Sequence, residues 1–251
     1  MIRMLLYYRD GIIMSSSRGG GEYNVATKHI RNNPKLLEIF HQSPDLILDG
    51  ELYHHGIDWP LQRISGLARL KEWKDECGQL EYWVYDYVDT KTPFKDRWKV
   101  LEAMKDLFTD SDPIKILDQK LMTGYISIKR EHDRYVKEGF EGLCARNPDR
   151  EYGVNKRSAN YLIKLKERKD AEATIIDVKE GLRPEDMCFM LKTPSGIIFA
   201  AKPMGDTATR ENYLKNKDEF IGKQMTYSYF ELSKEGVPCQ PVAMHIRPED
   251  E

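Results

Sequence analysis

Two short acidic motifs carry side chains that could hold a ribose hydroxyl or a metal ion. In Asp49-Gly50-Glu51 the two carboxylates lie two residues apart, so they share one side of an extended strand. Glu141 stands directly before Gly142 and an apolar segment, and the glycine allows the backbone to approach a ligand closely. Either motif taken singly is also typical of a turn beside a strand, so the chemistry depends on what accompanies them.

A pair of lysines gives a more specific pattern. Alternation in the segment Tyr-Leu-Ile-Lys-Leu-Lys places Lys164 and Lys166 on one face of a predicted strand. Ile163 and Leu165 then lie on the other face, where we expect them to be buried. Two ammonium groups on one face of a strand with a buried back can clamp phosphate groups, although an amphipathic surface strand would show the same alternation.

The elements that must position these residues follow from the hydrophobic periodicity. Residues 1–168 combine strand-like and helix-like segments, which predicts an α+β domain. The predicted strands are 4–8, 11–17, 45–53, 80–88, 142–146 and 161–166, and the predicted helices are 97–108 and 124–137.

The last eighty or so residues have a different pattern, with short strands separated by turns. Five such strands with one helix are typical of a small Greek-key barrel of the OB type. We therefore predict an OB-fold domain over residues 169–251, joined by a hinge near 167–170. Its predicted strands are 174–179, 187–192, 197–203, 224–232 and 242–247, and its predicted helix is 210–216.

Basic residues are concentrated in one part of the chain, although the net charge is only -2. Residues 120–169 contain 13 Lys and Arg against 7 Asp and Glu, whereas residues 170–251 contain 10 against 15. Binding to a phosphate backbone requires such a local density of cations rather than a high overall charge. A solvated helix face is the alternative explanation for a charge run alone.

Composition limits the class of protein. A chain of 251 residues with 40% hydrophobic and 32% charged side chains predicts a soluble globular protein, and no apolar run has membrane-spanning length. The four cysteines lie far apart, without the close pairs of a structural zinc site, and nothing suggests a disulfide framework. We therefore expect a protein of the reducing cytosol, with no membrane partner.

Taken in chain order, the motifs resemble those of the covalent nucleotidyltransferase superfamily, and specifically ATP-dependent DNA ligases of the compact bacteriophage type. The resemblance covers nearly the whole chain, and its strength lies in the order of the motifs rather than in any one of them. The matching segments are Ser17-Arg18-Gly19, Asp49-Gly50-Glu51, Tyr85-Asp86, Glu141-Gly142, Lys164-x-Lys166, and Gly236-Val237-Pro238 with Arg247.

The resemblance implies a role for each position in binding ATP and Mg²⁺. Glu51 would hold the ribose, and Tyr85 would stack on the adenine. Glu141, together with Glu51, would bind the catalytic Mg²⁺. Lys164 and Lys166 would contact the nucleotide phosphates and act in catalysis.

The resemblance also implies contacts with nicked duplex DNA. Arg18 would contact the sugar or the 5′-phosphate. Arg3 aligns with the arginine of the family's first motif, K-x-D-G-x-R, and is assigned a catalytic role. The residues predicted to contact DNA are Arg18, Arg146, Lys156 and Arg157.

The first motif raises a question about the nucleophile. In K-x-D-G-x-R the lysine that takes AMP from ATP stands five positions before the arginine, upstream of Met1 when Arg3 is the aligned arginine. Arg3 and Arg9 stay protonated and cannot replace it. We therefore expect that this polypeptide alone does not adenylylate itself. A misplaced start, a split gene whose second polypeptide brings the lysine, and a degenerate remnant are the three explanations.

The resemblance thus implies an α+β fold with an ATP-grasp-like nucleotidyltransferase core of antiparallel sheets and helices in residues 1–168, followed by an OB barrel in 169–251. The implied activity is ATP-dependent sealing of nicks in duplex DNA during replication, repair and recombination, by a monomer unless a lysine-bearing partner is needed. An RNA ligase or a capping guanylyltransferase is the alternative within the superfamily. A non-catalytic nucleic-acid-binding fragment or subunit is the alternative of another class.

Overall fold

Five strands form the first sheet in the computed structural model, which describes residues 2–54, 59–156, 158–183 and 186–248. Their spatial order is β2-β1-β3-β4-β5, and all neighbours are antiparallel except β4 and β5. The four longer strands were predicted, whereas three-residue β5 is too short to show a period. The strands are β1 (Ile2–Arg9), β2 (Ile12–Ser16), β3 (Ile47–Tyr53), β4 (Glu81–Tyr87) and β5 (Ile114–Ile116).

Five helices lie between the second and sixth strands in the described part of the chain, and only the last two were predicted. Helix α2 shows a start signal that the periodicity did not reveal, because Asn33 caps the amides of Lys35 and Leu36 at 3.0 and 3.3 Å and Pro34 opens the first turn. The helices are α1 (Lys28–Arg31), α2 (Pro34–Gln42), α3 (Leu61–Ala68), α4 (Phe94–Lys105) and α5 (Tyr125–Lys137), with a 3-10 helix at Asp75–Gln79.

The core of this part is formed by the inward faces of the sheet and its helices. Met4 and Leu6 of β1, Leu48 of β3 and Tyr82 of β4 are fully buried together with Phe40 of α2. Alternating residues of a strand point to one face, so this burial holds the strands in a fixed register. The register in turn determines which polar residues of β1, β3 and β4 meet.

A two-stranded sheet consists of β6 (Gly142–Arg146) and β7 (Leu162–Lys166), both predicted. The expectation of a buried back is wrong for Ile163, which is 45% exposed, and Leu165 is only half-buried. A sheet of two strands gives little cover to either face, so the alternation of β7 is that of an exposed ribbon.

The remaining five strands close into a barrel in the order β10-β12-β11-β8-β9. This confirms the five predicted strands, and β8 begins five residues earlier than predicted. Phe189, Leu191 and Tyr227 fill the interior together with Ile175. The elements are β8 (Lys169–Lys179), β9 (Cys188–Lys192), β10 (Ile198–Pro203), α6 (Thr207–Lys215), a 3-10 helix at Lys217–Glu219, β11 (Gln224–Tyr229) and β12 (Val242–Ile246).

The chain divides into two compact units. The first consists of residues 1–128 and 144–163, and the second of residues 129–143 and 164–251. The domain boundary expected at 168/169 stays a prediction, as does the hinge near 167–170. No helix in the described part of the chain is both long enough and apolar enough to cross a membrane.

Candidate functional site

Asp49 is the centre of a buried hydrogen-bond cluster in the first unit. Its side chain is 1% exposed, and Arg3 pairs with it through Nε to Oδ1 at 2.9 Å and Nη2 to Oδ2 at 2.7 Å. The hydroxyl of Tyr85 donates to Oδ1 at 3.2 Å, and that of Tyr152 donates to Oδ2 at 2.7 Å. Four donors thus satisfy the two oxygens, which is what a buried carboxylate requires.

Strand register brings three of these residues together. Asp49 lies on β3, which is flanked by β1 with Arg3 and by β4 with Tyr85. The pairing of β3 with β4 shifts at Asp49 and Gly50, a β-bulge. A Cβ at Gly50 would lie 2.5 Å from the carbonyl oxygen of Trp83, so only glycine fits this approach.

Burial and the negative charge of Asp49 both raise the pKa of the Tyr85 and Tyr152 hydroxyls well above the ordinary value. Both phenols therefore stay protonated and act as donors to the carboxylate. Burial disfavours the charged form of Arg3, but its hydrogen bonds to Asp49 outweigh this and raise the arginine pKa. The cluster is an ion pair with two neutral donors.

A second buried carboxylate lies next to the first. Asp86 is fully buried, and Arg97, itself 2% exposed, donates Nε to Oδ1 at 2.8 Å and Nη2 to Oδ2 at 3.1 Å. Arg146 of β6 adds Nη1 to Oδ2 at 2.5 Å. Its guanidinium lies over the rings of Tyr85 and Phe94, at 5.2 and 5.0 Å from their centroids. A predicted DNA contact for Arg146 stays a prediction, and this geometry favours a structural role beside Tyr85.

Glu51 belongs to the same part of the first unit. It lies on β3, half-buried, opposite Arg3 of β1 and Trp83 of β4 in the strand register. The structure therefore brings Arg3, Glu51 and Tyr85 onto three neighbouring strands, as a common pocket requires.

The residues predicted to bind phosphate and metal, Glu141, Lys164 and Lys166, belong to the second unit. The ammonium of Lys166 pairs with the carboxylate of Glu141, and both side chains are about half exposed. The same ammonium lies 5.8 Å from the ring centroid of Phe230, and Lys164 is exposed on the same strand. Gly142 adopts a φ of 137°, and a Cβ there would clash with the carbonyl of Leu165, so glycine permits the two strands to pair beside Glu141.

The structure places the remaining predicted residues as follows. Arg18 is exposed in the turn after β2, which closes with the amide of Gly21 donating to Ser17 Oγ at 2.9 Å. Lys156 is exposed and donates to the Tyr161 hydroxyl at 2.7 Å. Arg157 lies outside the described residues.

Several residues of the site were not found from the sequence. Tyr152 reaches Asp49 from 103 positions away and Arg97 reaches Asp86 from 11, and no local pattern marks either residue. Arg168 donates to the hydroxyl and carbonyl of Ser228 at 3.0 and 2.9 Å and stacks on Phe230 at 4.3 Å, which fixes the connection between β7 and β8. Arg168 is one of the basic residues counted in the segment 120–169, but the sequence predicts no contact for it.

Among the residues that the structure describes, no three His, Cys, Asp or Glu side chains gather into a metal-binding cluster. Mg²⁺ does not need one, because it is commonly held by one or two carboxylates together with substrate phosphates and waters. The exposed carboxylate of Glu141 is a donor of that kind.

Comparison with known proteins identifies a matching family and relatives of this chain. The profile of the ATP dependent DNA ligase domain matches residues 2–166. The DNA ligase of African swine fever virus is 28% identical over 257 residues, covering 95% of this chain and 59% of the viral protein. The chain thus spans about three-fifths of the length of this viral relative.

Solved structures share the fold. A structure from a study of Lig E DNA ligases aligns over 98% of this chain and 89% of its own, with a TM-score of 0.70 and 18% identity. The ATP-dependent DNA ligase of bacteriophage T7, solved with ATP, aligns over 98% of this chain and 89% of its own, with a TM-score of 0.53 and 18% identity. The α+β core followed by a barrel is therefore the fold of this group.

Proposed function

The chain belongs to the ATP-dependent DNA ligase domain family, and we propose that it seals nicks in duplex DNA with ATP as the source of AMP. One observation carries the proposal. The family match over residues 2–166 contains Arg3, Glu51, Tyr85, Glu141 and Lys166, the residues expected to bind and transfer the adenylate.

Two residues of the five-stranded sheet are assigned to the nucleoside in this proposal. Tyr85 stacks on the adenine, which suits an aromatic ring whose hydroxyl is held by Asp49 at 3.2 Å. Glu51 accepts hydrogen bonds from the ribose hydroxyls. Arg3, fixed by its bidentate pair with Asp49, keeps the β1–β3 edge of the pocket in place.

Other residues, implied by the family resemblance, are assigned to the phosphates. Lys164 and Lys166 meet the nucleotide phosphates, and phosphate binding frees Glu141 from Lys166 so that the carboxylate can hold Mg²⁺. The exposed Glu141 carboxylate fits this, since a solvated oxygen donor is what Mg²⁺ accepts. When bound, the ion neutralises charge that develops on the phosphoryl group. DNA contacts are assigned to Arg18, Lys156 and Arg157, whereas Arg146 is held beside Tyr85 by Asp86.

The decisive experiment uses duplex DNA with a nick already adenylated at its 5′-phosphate. Sealing this substrate requires only attack of the 3′-hydroxyl and loss of AMP, and no lysine nucleophile. We expect joined strand in the presence of Mg²⁺. Lys164→Ala should lower the sealing rate at least tenfold, because a phosphate contact of the transition state is lost.

The matched control is Lys215→Ala, which removes an exposed lysine of α6 that has no role in the proposal. It should seal at the unaltered rate. Binding of the nicked DNA without any joined product would overturn the ligase proposal in favour of a non-catalytic binding protein. Joining of an adenylated RNA nick but not the DNA nick would assign the chain to RNA ligation instead.

A further inference from the structure

The hydroxyl of Tyr152 completes the hydrogen bonds of Asp49 from a distant part of the chain. Tyr152 lies in the segment between β6 and β7, and its hydroxyl both donates to Asp49 Oδ2 at 2.7 Å and accepts from Arg3 Nη2 at 2.8 Å. It therefore closes a three-membered ring of contacts between a cation, an anion and a phenol. A phenylalanine at this position would pack the same way but make neither contact.

Tyr152 is itself held firmly. Its backbone amide donates to the carbonyl of Asp89 at 3.0 Å, and its ring lies 5.8 Å from the guanidinium of Arg97. Both neighbours belong to the first unit, as Tyr152 does. A side chain anchored at the backbone and at the ring presents its hydroxyl in a fixed place, which is what a positioning group needs.

The effect of this hydroxyl reaches Tyr85 through the carboxylate. The Tyr85 hydroxyl contacts Oδ1 at 3.2 Å, the longest of the four hydrogen bonds to Asp49. If the donor to Oδ2 is removed, Oδ2 keeps only Arg3, and a buried carboxylate with an unfilled site reorients to recover a donor. Such a rotation moves Oδ1 and with it the hydroxyl that holds the Tyr85 ring.

We propose that Tyr152 is a positioning residue for adenylate binding, which fixes Asp49 so that Asp49 fixes the ring of Tyr85. The inference rests on the proposed function, because it requires that Tyr85 contacts a nucleotide. Tyr152 does not touch the reacting atoms. Its hydroxyl determines how well the adenylate is bound, and the rest of its ring serves packing alone.

The test compares two ligands that differ only in the adenylate. The dissociation constant of the protein is measured for nicked duplex DNA with a plain 5′-phosphate and for the same nick pre-adenylated. Tyr152→Phe should weaken binding of the pre-adenylated nick about tenfold, the loss expected for one hydrogen bond to a charged group. Binding of the plain nick should stay unchanged, which a general loss of structure could not produce.

Tyr161→Phe is the matched control. Tyr161 lies in the same connecting segment and its hydroxyl also donates to a carboxylate, but that carboxylate belongs to Glu151, at 2.8 Å, and not to Asp49. The ratio of the dissociation constant for the plain nick to that for the pre-adenylated nick, which Tyr152→Phe should lower, should be unaltered in this variant. A ratio that falls equally in Tyr161→Phe would show that any hydroxyl of the segment matters, and would overturn the proposal.

Tyr85→Phe tests the same relay from its other end and keeps the proposal falsifiable if Tyr152→Phe does not fold. It should lower the ratio of dissociation constants too. In the double variant the ratio should fall by less than the product of the two single effects, since both hydroxyls act through one carboxylate. Independent, multiplicative losses would overturn the relay. A wild-type protein that binds both nicks equally would instead refute the proposed function, so the two failures are distinguishable.

Discussion

At the scale of single residues, His29 shows how burial makes a side chain sensitive to pH. Its Nε2 contacts the carbonyl of Leu80 at 2.8 Å, and its ring packs edge-on against Trp73. Nδ1 is buried and has no hydrogen-bond partner among the described residues. Burial therefore lowers the pKa of the His29 imidazole below its ordinary value, since a charged ring would lose its hydration.

The sign of the pH dependence follows. A histidine whose pKa is lower in the folded state takes up protons more readily when the chain is unfolded, so folding is weakened as pH falls below about 6.5. We expect the urea concentration at the midpoint of unfolding of the first unit to drop between pH 7 and pH 5. The fluorescence of its four tryptophans reports the unfolding. His29→Gln should flatten the plot of urea midpoint against pH in this range. His41→Gln, which replaces an exposed histidine of α2, should leave that plot unchanged. An unchanged profile in His29→Gln would contradict the assignment.

Single residues also show where reasoning from sequence stopped. Asp49, Glu51 and Tyr85 lie within local motifs, so their types and spacing were enough to single them out. Tyr152 stands 103 positions from Asp49, and nothing beside it in the sequence indicates that its hydroxyl reaches a carboxylate. Contacts of this kind are set by how strands pack, which a local pattern does not carry.

At the scale of elements, the strands were predictable because alternation survives wherever one face is buried. Short helices were not, since α1 has four residues and gives no full period. Asn33 as the N-cap and Pro34 as the first residue of α2 show that a capping signal can reveal a helix that periodicity misses. The interpretation of β7 as a strand with a buried back failed because its pattern does not tell which neighbours will cover it.

The bulge in β3 gives a prediction at this scale. Gly50→Ala would place a Cβ 2.5 Å from the carbonyl oxygen of Trp83 and 2.6 Å from the ring of Tyr82, so β3 and β4 must separate. We expect a loss of about 1–3 kcal/mol in the free energy of unfolding, the usual cost of forcing an atom into a packed core. Urea titration followed by tryptophan fluorescence measures it.

The control for the bulge is another glycine in the same unit. Gly66 lies inside α3 and a Cβ there would meet nothing within 4 Å. Gly66→Ala should therefore stabilise the unit slightly, by roughly 0.5–1 kcal/mol, because alanine loses less conformational freedom in a helix. Equal destabilisation in the two variants would mean that the close approach at Gly50 does not matter.

At the scale of the whole molecule, the distribution of charge allows the proposed binding of DNA to be tested. The net charge is only -2, yet residues 120–169 carry 13 basic against 7 acidic side chains. Cations that bind a phosphate backbone release its condensed counterions, so affinity must fall as salt rises. The proposed DNA contacts therefore predict a negative slope in a plot of log affinity against log salt concentration, and each phosphate contact adds to that slope.

Lys156→Ala measures the contribution of one proposed phosphate contact to this slope. We expect the plot of log affinity for nicked duplex DNA against log salt concentration to become shallower by about 0.9, the contribution of one phosphate contact. Lys215→Ala also removes one exposed positive charge, but from α6 outside the basic segment, and should leave the slope unaltered. The slope separates a contact from a general field, since loss of a distant charge weakens binding without changing the number of ions released. Parallel lines for the wild-type protein and Lys156→Ala would remove Lys156 from the DNA interface and leave its ammonium as a partner of Tyr161 and Glu151.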